Sequence, residues 1–185
     1  MESEQLEKNW NTFDSLCRRL SDHNLNKLLD ELGQRLVMCP ASPRTDGPGC
    51  YPGGLVERAL QVTSSMRKLN DALGFEVPVA SILKVGLLHE IGKVGDLEGD
   101  HFLDQDSDWH REKLGQYYKY NEDLAKMGYS HRTLFLLQHY GVSLSRDEWE
   151  AILTGQGLHL EENRFYAGTK SNLTRLLAAA RLLTV

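Results

Sequence analysis

The chain has 185 residues, a length that suits one domain with a sizeable hydrophobic core. Hydrophobic residues make up 41% of it and charged residues 25%, which argues against a disordered or fibrous protein. The net charge of −5 gives no reason to expect a nucleic-acid partner.

The cysteines and the N-terminal stretch indicate a compartment. The three cysteines, Cys17, Cys39 and Cys50, form no CxxC pair, which is typical of reduced thiols rather than of a disulfide framework or a zinc site. The first residues are charged, and no apolar run approaches the roughly 20 residues of a membrane span. We therefore expect a soluble cytoplasmic protein with no membrane partner.

Helical periodicity dominates the first part of the chain. Residues 4–20 and 22–38 are predicted to form two amphipathic helices with a short break between them. The stretch 39–54 contains four of the five prolines, which predicts an irregular loop. From Leu55 onward, apolar residues recur at helical spacing on one face and predict a third helix.

The rest of the chain is also predicted to be helical, apart from a loop over 92–106. Further helices are predicted over 78–91, 108–126, 130–140, 146–154 and from 171 to the end. Ser145 and Glu148 have the spacing of a capping box. No segment alternates convincingly with a period of two. We predict an all-α fold, a single-domain helical bundle in which N-terminal helices (1–38) pack on the remaining residues (39–185).

Three of these helices carry a charged residue beside the apolar face. Arg58 follows Leu55 by three residues, Glu90 lies on the buried side of its helix, and Arg181 follows Leu177 by four. Because a buried charge is costly unless it is paired, one prediction is that the three charges meet. The alternative is that each arginine extends along its own helix to solvent. Periodicity alone does not choose between the two.

Two motifs resemble a known family. The stretch "YPGGLVERAL", followed later by "LLHEIGKVG", resembles the HD-domain superfamily of metal-dependent phosphohydrolases. The chain is most similar to small HD-like proteins of bacterial viruses, over about residues 35–185. The resemblance implies an HD-like helical domain, and a viral origin would place it in the host cytoplasm or the virion.

The resemblance also implies which positions correspond to the metal site. The family's metal is held by a histidine in the Gly-Gly-Leu helix, an adjacent His-Asp pair and an aspartate in a late helix. These positions are occupied here by Arg58, by His89 and Glu90, and by Arg181. A further histidine of such proteins would fall near Gly155. Only His89 keeps the residue of the family.

These replacements change what the site can bind. Arginine stays protonated and offers only hydrogen-bond donors, so it cannot be a metal ligand. A guanidinium about 4 Å from a metal would repel each positive charge by about 4 kcal/mol at an effective dielectric constant near 20. We therefore predict that the site holds no metal and no other cofactor, and that the arginines neutralise Glu90 where the cation would be.

The leading hypothesis is a catalytically inactive HD-like domain that acts as a structural or protein-binding module, through a protein partner or self-association. One alternative is an active phosphohydrolase for nucleotides that uses His89, Glu90 and Lys93 with Mn, Fe, Ni or Zn. Its missing ligands would be nearby acids: Asp96, Asp100 or Asp104. Another alternative is a nucleotide sensor without turnover, whose phosphate contacts would be made by three cations: Arg58, Lys93 and Arg181.

Two other groups of residues are of interest. His101 and His110 flank an acidic loop and are predicted to have surface roles. The segment 109–120 is rich in aromatic residues beside lysine and arginine, which could stack a base or form a protein interface. Within a predicted helix, however, such residues are more commonly part of the core.

Overall fold

The computed structural model describes residues 2–184. Met1, at the start of the predicted N-terminal region, and Val185, at the end of the predicted last helix, lie outside the described residues. Its α-helices are α1 (Ser3–Arg18), α2 (His23–Met38), α3 (Gly54–Leu73), α4 (Val79–Leu88), α5 (Asp108–Leu114), α6 (Tyr129–Tyr140), α7 (Arg146–Leu153) and α8 (Asn172–Leu183). Short 3-10 turns are formed by Ile91–Val94, Thr154–Gln156 and Glu161–Tyr166. Strands β1 (Phe102–Asp104) and β2 (Tyr118–Tyr120) pair antiparallel. The prediction of a mostly helical fold is confirmed.

Side-chain caps explain where several helices begin. The carboxylate of Asp22 accepts hydrogen bonds from the backbone N–H groups of Asn24 and Leu25 at the start of α2. At the start of α7, the hydroxyl of Ser145 accepts from the N–H of Glu148, whose carboxylate accepts from the N–H of Ser145. The predicted capping box is therefore confirmed.

The predicted helix over 108–126 is wrong beyond residue 114. Gly115 ends α5 in the left-handed conformation, with φ of +59°, which favours glycine. The chain then forms β2, whose Lys119 pairs with Leu103 of β1. The expectation that no segment forms a strand is therefore also wrong for these two short strands.

The aromatic residues of this segment are largely exposed, contrary to the expectation that they belong to the core. Trp109 is 58% exposed, and Tyr117 and Tyr120 are each 50% exposed. Tyr118 is partly buried against the core. Tyr118 and Tyr120 belong to a strand and not to a helix, so the helical spacing that favoured burial does not apply to them.

The core is centred on α3, which packs most extensively on α4 and α8. Leucines of α2 join the same hydrophobic cluster, so the N-terminal helices share the core. Each fully buried aliphatic side chain stabilises the fold by roughly 1.5–3 kcal/mol relative to exposure. The central residues that are completely buried include Val62, Met66, Ile82, Val85 and Leu176.

Helices α3 and α4 approach each other closely at Gly86. A Cβ atom added there would lie 3.0 Å from the Cα of Thr63, so only glycine allows this spacing. The close approach brings the end of α4, with His89 and Glu90, to the first turns of α3. Helix α8 packs on both α3 and α4 from the other side. No helix between residues 2 and 184 has the length and apolar character needed to cross a membrane.

Candidate functional site

Glu90 is the centre of a buried group of charges between α3, α4 and α8. Its Oε1 accepts a 2.9 Å hydrogen bond from Nη2 of Arg181. The Nζ of Lys93 lies 3.1 Å from the same oxygen, and the Nε of Arg58 lies 3.4 Å from Oε2. The three charged residues picked out by helical periodicity therefore meet. The arginines do not extend to solvent, because their side chains are only 10% and 20% exposed.

Two of the three cations also bind backbone carbonyl groups of distant segments. Nη1 of Arg58 donates to the carbonyl of Thr184, just after α8. Nζ of Lys93 donates a 2.8 Å hydrogen bond to the carbonyl of Ala41, in the loop before α3. The group of Arg58, His89, Glu90, Lys93 and Arg181, termed the Glu90 cluster below, thus attaches the end of the chain and the proline-rich loop to the core.

His89 is completely buried beside Glu90. Its Nδ1 lies 3.0 Å from the carbonyl oxygen of Gly86, which can only accept, so Nδ1 carries the proton and Nε2 has the lone pair. This Nε2 is 4.0 Å from Oε2 of Glu90. Burial, together with the charge of Arg181, lowers the pKa of His89 to about 4. The imidazole is therefore neutral near pH 7.

Opposing effects act on the ionisation of Glu90. Burial alone would raise the pKa of this carboxyl, but the charges of Lys93, Arg181 and Arg58 outweigh that effect and hold the pKa well below its usual range. Burial lowers the pKa of Lys93, while the charge of Glu90 opposes that change. Within residues 2–184, no second carboxylate lies within 4.0 Å of any of the three cations. One carboxylate therefore serves three positive charges.

The residues of the Glu90 cluster do not fit a divalent metal. Zinc and similar ions need at least three converging N, O or S ligands, and here only His89 and Glu90 carry such atoms. Three cationic side chains lie within 3.4 Å of the Glu90 carboxylate and would repel a metal ion. Throughout the described part of the chain, no three His, Cys, Asp or Glu side chains are arranged to hold a metal.

The acids considered as alternative ligands do not join His89 and Glu90. Asp100 pairs with Arg35. Asp96 is buried, and its Oδ1 accepts from the backbone N–H of Glu98 within the same turn. Asp104 lies in β1 and is exposed. Gly155, the position of the further family histidine, lies in the 3-10 turn after α7, where an added Cβ would be 3.6 Å from Leu177.

A second buried polar group lies outside the predicted site. Arg132 of α6 is 2% exposed, and its Nη1 donates a 2.9 Å hydrogen bond to Nδ1 of His101. Arg132 precedes Leu136 by four residues on the buried face of α6, so periodicity offered the same signal as for Arg58. His101 is partly buried among aromatic rings, and the prediction of a surface role for it is wrong.

Comparison with known proteins adds no relative. No protein-family model, curated protein or solved structure matches the chain significantly. The resemblance to HD domains therefore depends on the two motifs, which contain Arg58, His89 and Glu90, and on the helix pattern that assigns Arg181.

Proposed function

We propose that the protein is a catalytically inactive HD-like domain that acts as a structural or protein-binding module. The observation that supports this is the environment of Glu90, whose carboxylate is contacted by Arg58, Lys93 and Arg181. In the family that the motifs resemble, a metal cation would neutralise a carboxylate at this position. Here protein cations do so, and they also connect α3, α4 and α8.

The chemistry of the cluster argues against phosphoester hydrolysis. In metal-dependent hydrolases, the ion lowers the pKa of a bound water so that hydroxide forms near neutral pH. Arginine and lysine cannot replace the ion in this role, because they offer no site at which water binds as a ligand. His89 is neutral, but it is completely buried and has no access to a bulk water molecule.

The contacts also argue against a nucleotide sensor at this position. A phosphate would have to compete with Glu90 and with the carbonyl groups of Ala41 and Thr184 for the donors of Arg58 and Lys93. Both cations are already paired with the carboxylate of Glu90, whose negative charge would repel a phosphate.

Metal content and turnover test the proposed loss of catalysis. We expect purified protein to contain no stoichiometric Mn, Fe, Ni or Zn by elemental analysis. We also expect no hydrolysis of nucleoside mono- or triphosphates above background when Mn, Mg, Co or Ni is added. One metal per chain that is lost in His89→Ala, or turnover that is abolished in Glu90→Gln, would show that the protein is an active enzyme.

Restoring the family's ligands tests the positional assignment. The triple variant Arg58→His, Glu90→Asp, Arg181→Asp combines three new ligands with His89, and we expect it to bind one Mn²⁺ or Zn²⁺ in calorimetry. A matched control changes exposed arginines in the same way, with Arg67→His and Arg175→Asp. A folded triple variant that binds metal no better than this control would contradict the assignment of Arg58 and Arg181 to ligand positions.

The exposed aromatic residues support a role in protein binding. Trp109 and Tyr117 lie on either side of Gly115, where α5 turns toward β2, and aromatic residues are enriched at protein interfaces. Sedimentation velocity over a range of concentrations tests self-association through this surface. We expect a concentration-dependent dimer that weakens in Trp109→Ser and persists in the control Trp149→Ser. A monomer at all concentrations would exclude a second copy as the partner.

A further inference from the structure

A cavity of about 370 Å³ lies beside the first turn of α6, away from the Glu90 cluster. Segments that are distant in sequence enclose it: the start of β1, the end of β2 with the loop after it, and the 3-10 turn after α7. The residues that matter for what it binds are His101, Tyr120, Leu124, Tyr129, Arg132 and Gln156. This group is termed the α6 cavity.

The guanidinium of Arg132 in this cavity forms no ion pair with a described residue. Nη1 donates to His101, Nη2 donates a 2.9 Å hydrogen bond to the carbonyl of Ala125, and Nε has no hydrogen-bond partner among the described residues. Over residues 2–184, no carboxylate lies within 4.0 Å of it to form an ion pair. Burial lowers the pKa of Arg132, and the charge of the buried Asp96, which lies beyond that distance, opposes the change only from longer range. A buried charge without a close partner is costly, which is why buried arginines are normally paired.

The position of Arg132 in α6 increases the local positive potential. It lies in the first turn of a 12-residue helix, where the helix dipole already favours a negative charge. The backbone N–H groups of Tyr129 and Ser130, at the start of α6, donate hydrogen bonds to the side-chain oxygen of Gln156. This is the orientation of the amide that satisfies its hydrogen bonds. The cation itself is not neutralised by this contact.

His101 adds a donor to the same cavity. Because arginine can only donate, Nδ1 of His101 is the acceptor from Arg132, and the proton of the neutral ring lies on Nε2. The ring centroid of His101 lies 5.1 Å from that of Tyr120 and 5.3 Å from that of Tyr129. The cavity thus combines aromatic rings and the apolar side chain of Leu124 with a cation and a second donor.

We propose that the α6 cavity binds a small ligand that joins a flat, apolar body to an anionic oxygen group, either a carboxylate or a phosphate. The anionic oxygens are bound by Arg132 and His101, and the flat body packs against Tyr120 and Tyr129. The volume is within the range of small-molecule sites, roughly 300–1,000 Å³. Lys126 and Glu122 also line the cavity, and their opposite charges leave the positive charge of Arg132 in excess.

Three probe compounds of similar shape test this proposal: benzoate, phenyl phosphate and neutral benzamide. Each is titrated into ¹⁵N-labelled protein at constant ionic strength, and amide chemical shifts are followed. We expect saturable shifts at Asn121, Tyr129 and Arg132 with at least one of the two anions, and at least tenfold weaker binding of benzamide. Which of the two anions binds more tightly identifies the carboxylate or the phosphate as the preferred group.

Two variants and a matched control locate the binding. Arg132→Gln is expected to weaken anion binding at least tenfold, whereas Arg67→Gln removes an equal charge from the surface and leaves binding unchanged. Tyr120 is half exposed, so Tyr120→Leu decides the question if Arg132→Gln does not fold. The proposal is overturned if neither anion binds, if benzamide binds equally well, or if anion binding persists in the folded variants.

Discussion

Nη2 of Arg181 donates a 2.9 Å hydrogen bond to Oε1 of Glu90, across 91 positions of the sequence. The same oxygen is contacted by Lys93, and the other carboxylate oxygen by Arg58. One carboxylate therefore contacts three cations that come from three separate segments, which leaves an excess of two positive charges among these described residues. Loss of the anion and loss of one cation are consequently not equivalent perturbations, and their effects on stability can be predicted separately.

Glu90→Gln is predicted to be the most destabilising single change in the cluster. It leaves three cations with no ion-pair partner among residues 2–184, at a site where only 7% of the Glu90 side chain is exposed. Breaking a buried ion pair in this way typically costs about 3–5 kcal/mol. Urea unfolding measures this loss, with the exposed Glu112→Gln as the matched control. Equal midpoints for the two variants would contradict the central role of Glu90.

Arg58→Met is predicted to cost less than Glu90→Gln, because Lys93 and Arg181 still neutralise the carboxylate. Burial lowers the pKa of Arg58, and repulsion from Arg181 lowers it further. The substitution removes this repulsion. The double variant Arg58→Met, Glu90→Gln should therefore be more stable than the sum of the single effects predicts, by about 0.5–3 kcal/mol. Strictly additive effects would mean that the two side chains do not interact.

Lys93→Met is predicted to act on the loop before α3 rather than on the whole molecule. The hydrogen bond from Nζ of Lys93 to the carbonyl of Ala41 is buried and charge-assisted. Its loss should raise the hydrogen-exchange rate of the Ala41 amide, which donates to Gly49, by about ten- to a hundredfold. The exposed Lys68→Met is the control, and equal exchange rates in the two variants would rule out this attachment.

Helical periodicity placed three charges beside the apolar faces of their helices, but it did not decide between a meeting of these charges and extension to solvent. Arg58, Glu90 and Arg181 each lie next to apolar residues of their own helix, and the cost of burying a charge predicts that such residues meet. The contact of Lys93 with Glu90 could not be predicted in this way. It depends on the 3-10 turn Ile91–Val94, which places residues three apart on the same side.

Other features depend on contacts between distant segments and left no periodic signal. Strand β2 exists because it pairs with β1, and its three residues are too few to show a period of two. The α6 cavity likewise combines His101, Tyr120 and Gln156 with the start of α6. Arg132 lies on the buried face of α6, but periodicity does not predict a cavity, because a cavity is a property of the packed structure.

Stability is predicted to fall as the pH decreases from 6.5 to 4, because of His89. Its pKa is about 4 in the folded protein and 6.5 in the unfolded chain, so over this range the unfolded state binds a proton that the folded state excludes. The stabilisation is complete above pH 6.5, and about 3 kcal/mol is lost by pH 4. Burial and the charge of Arg132 also lower the pKa of His101 to about 4, so His101 adds to the slope in the same direction.

Urea unfolding at intervals of half a pH unit measures how steeply stability depends on pH. His89→Asn should reduce this slope by the amount that corresponds to about one bound proton, and the surface change His23→Asn is the control. If His89→Asn leaves the slope unchanged, the imidazole is not held neutral beside Glu90.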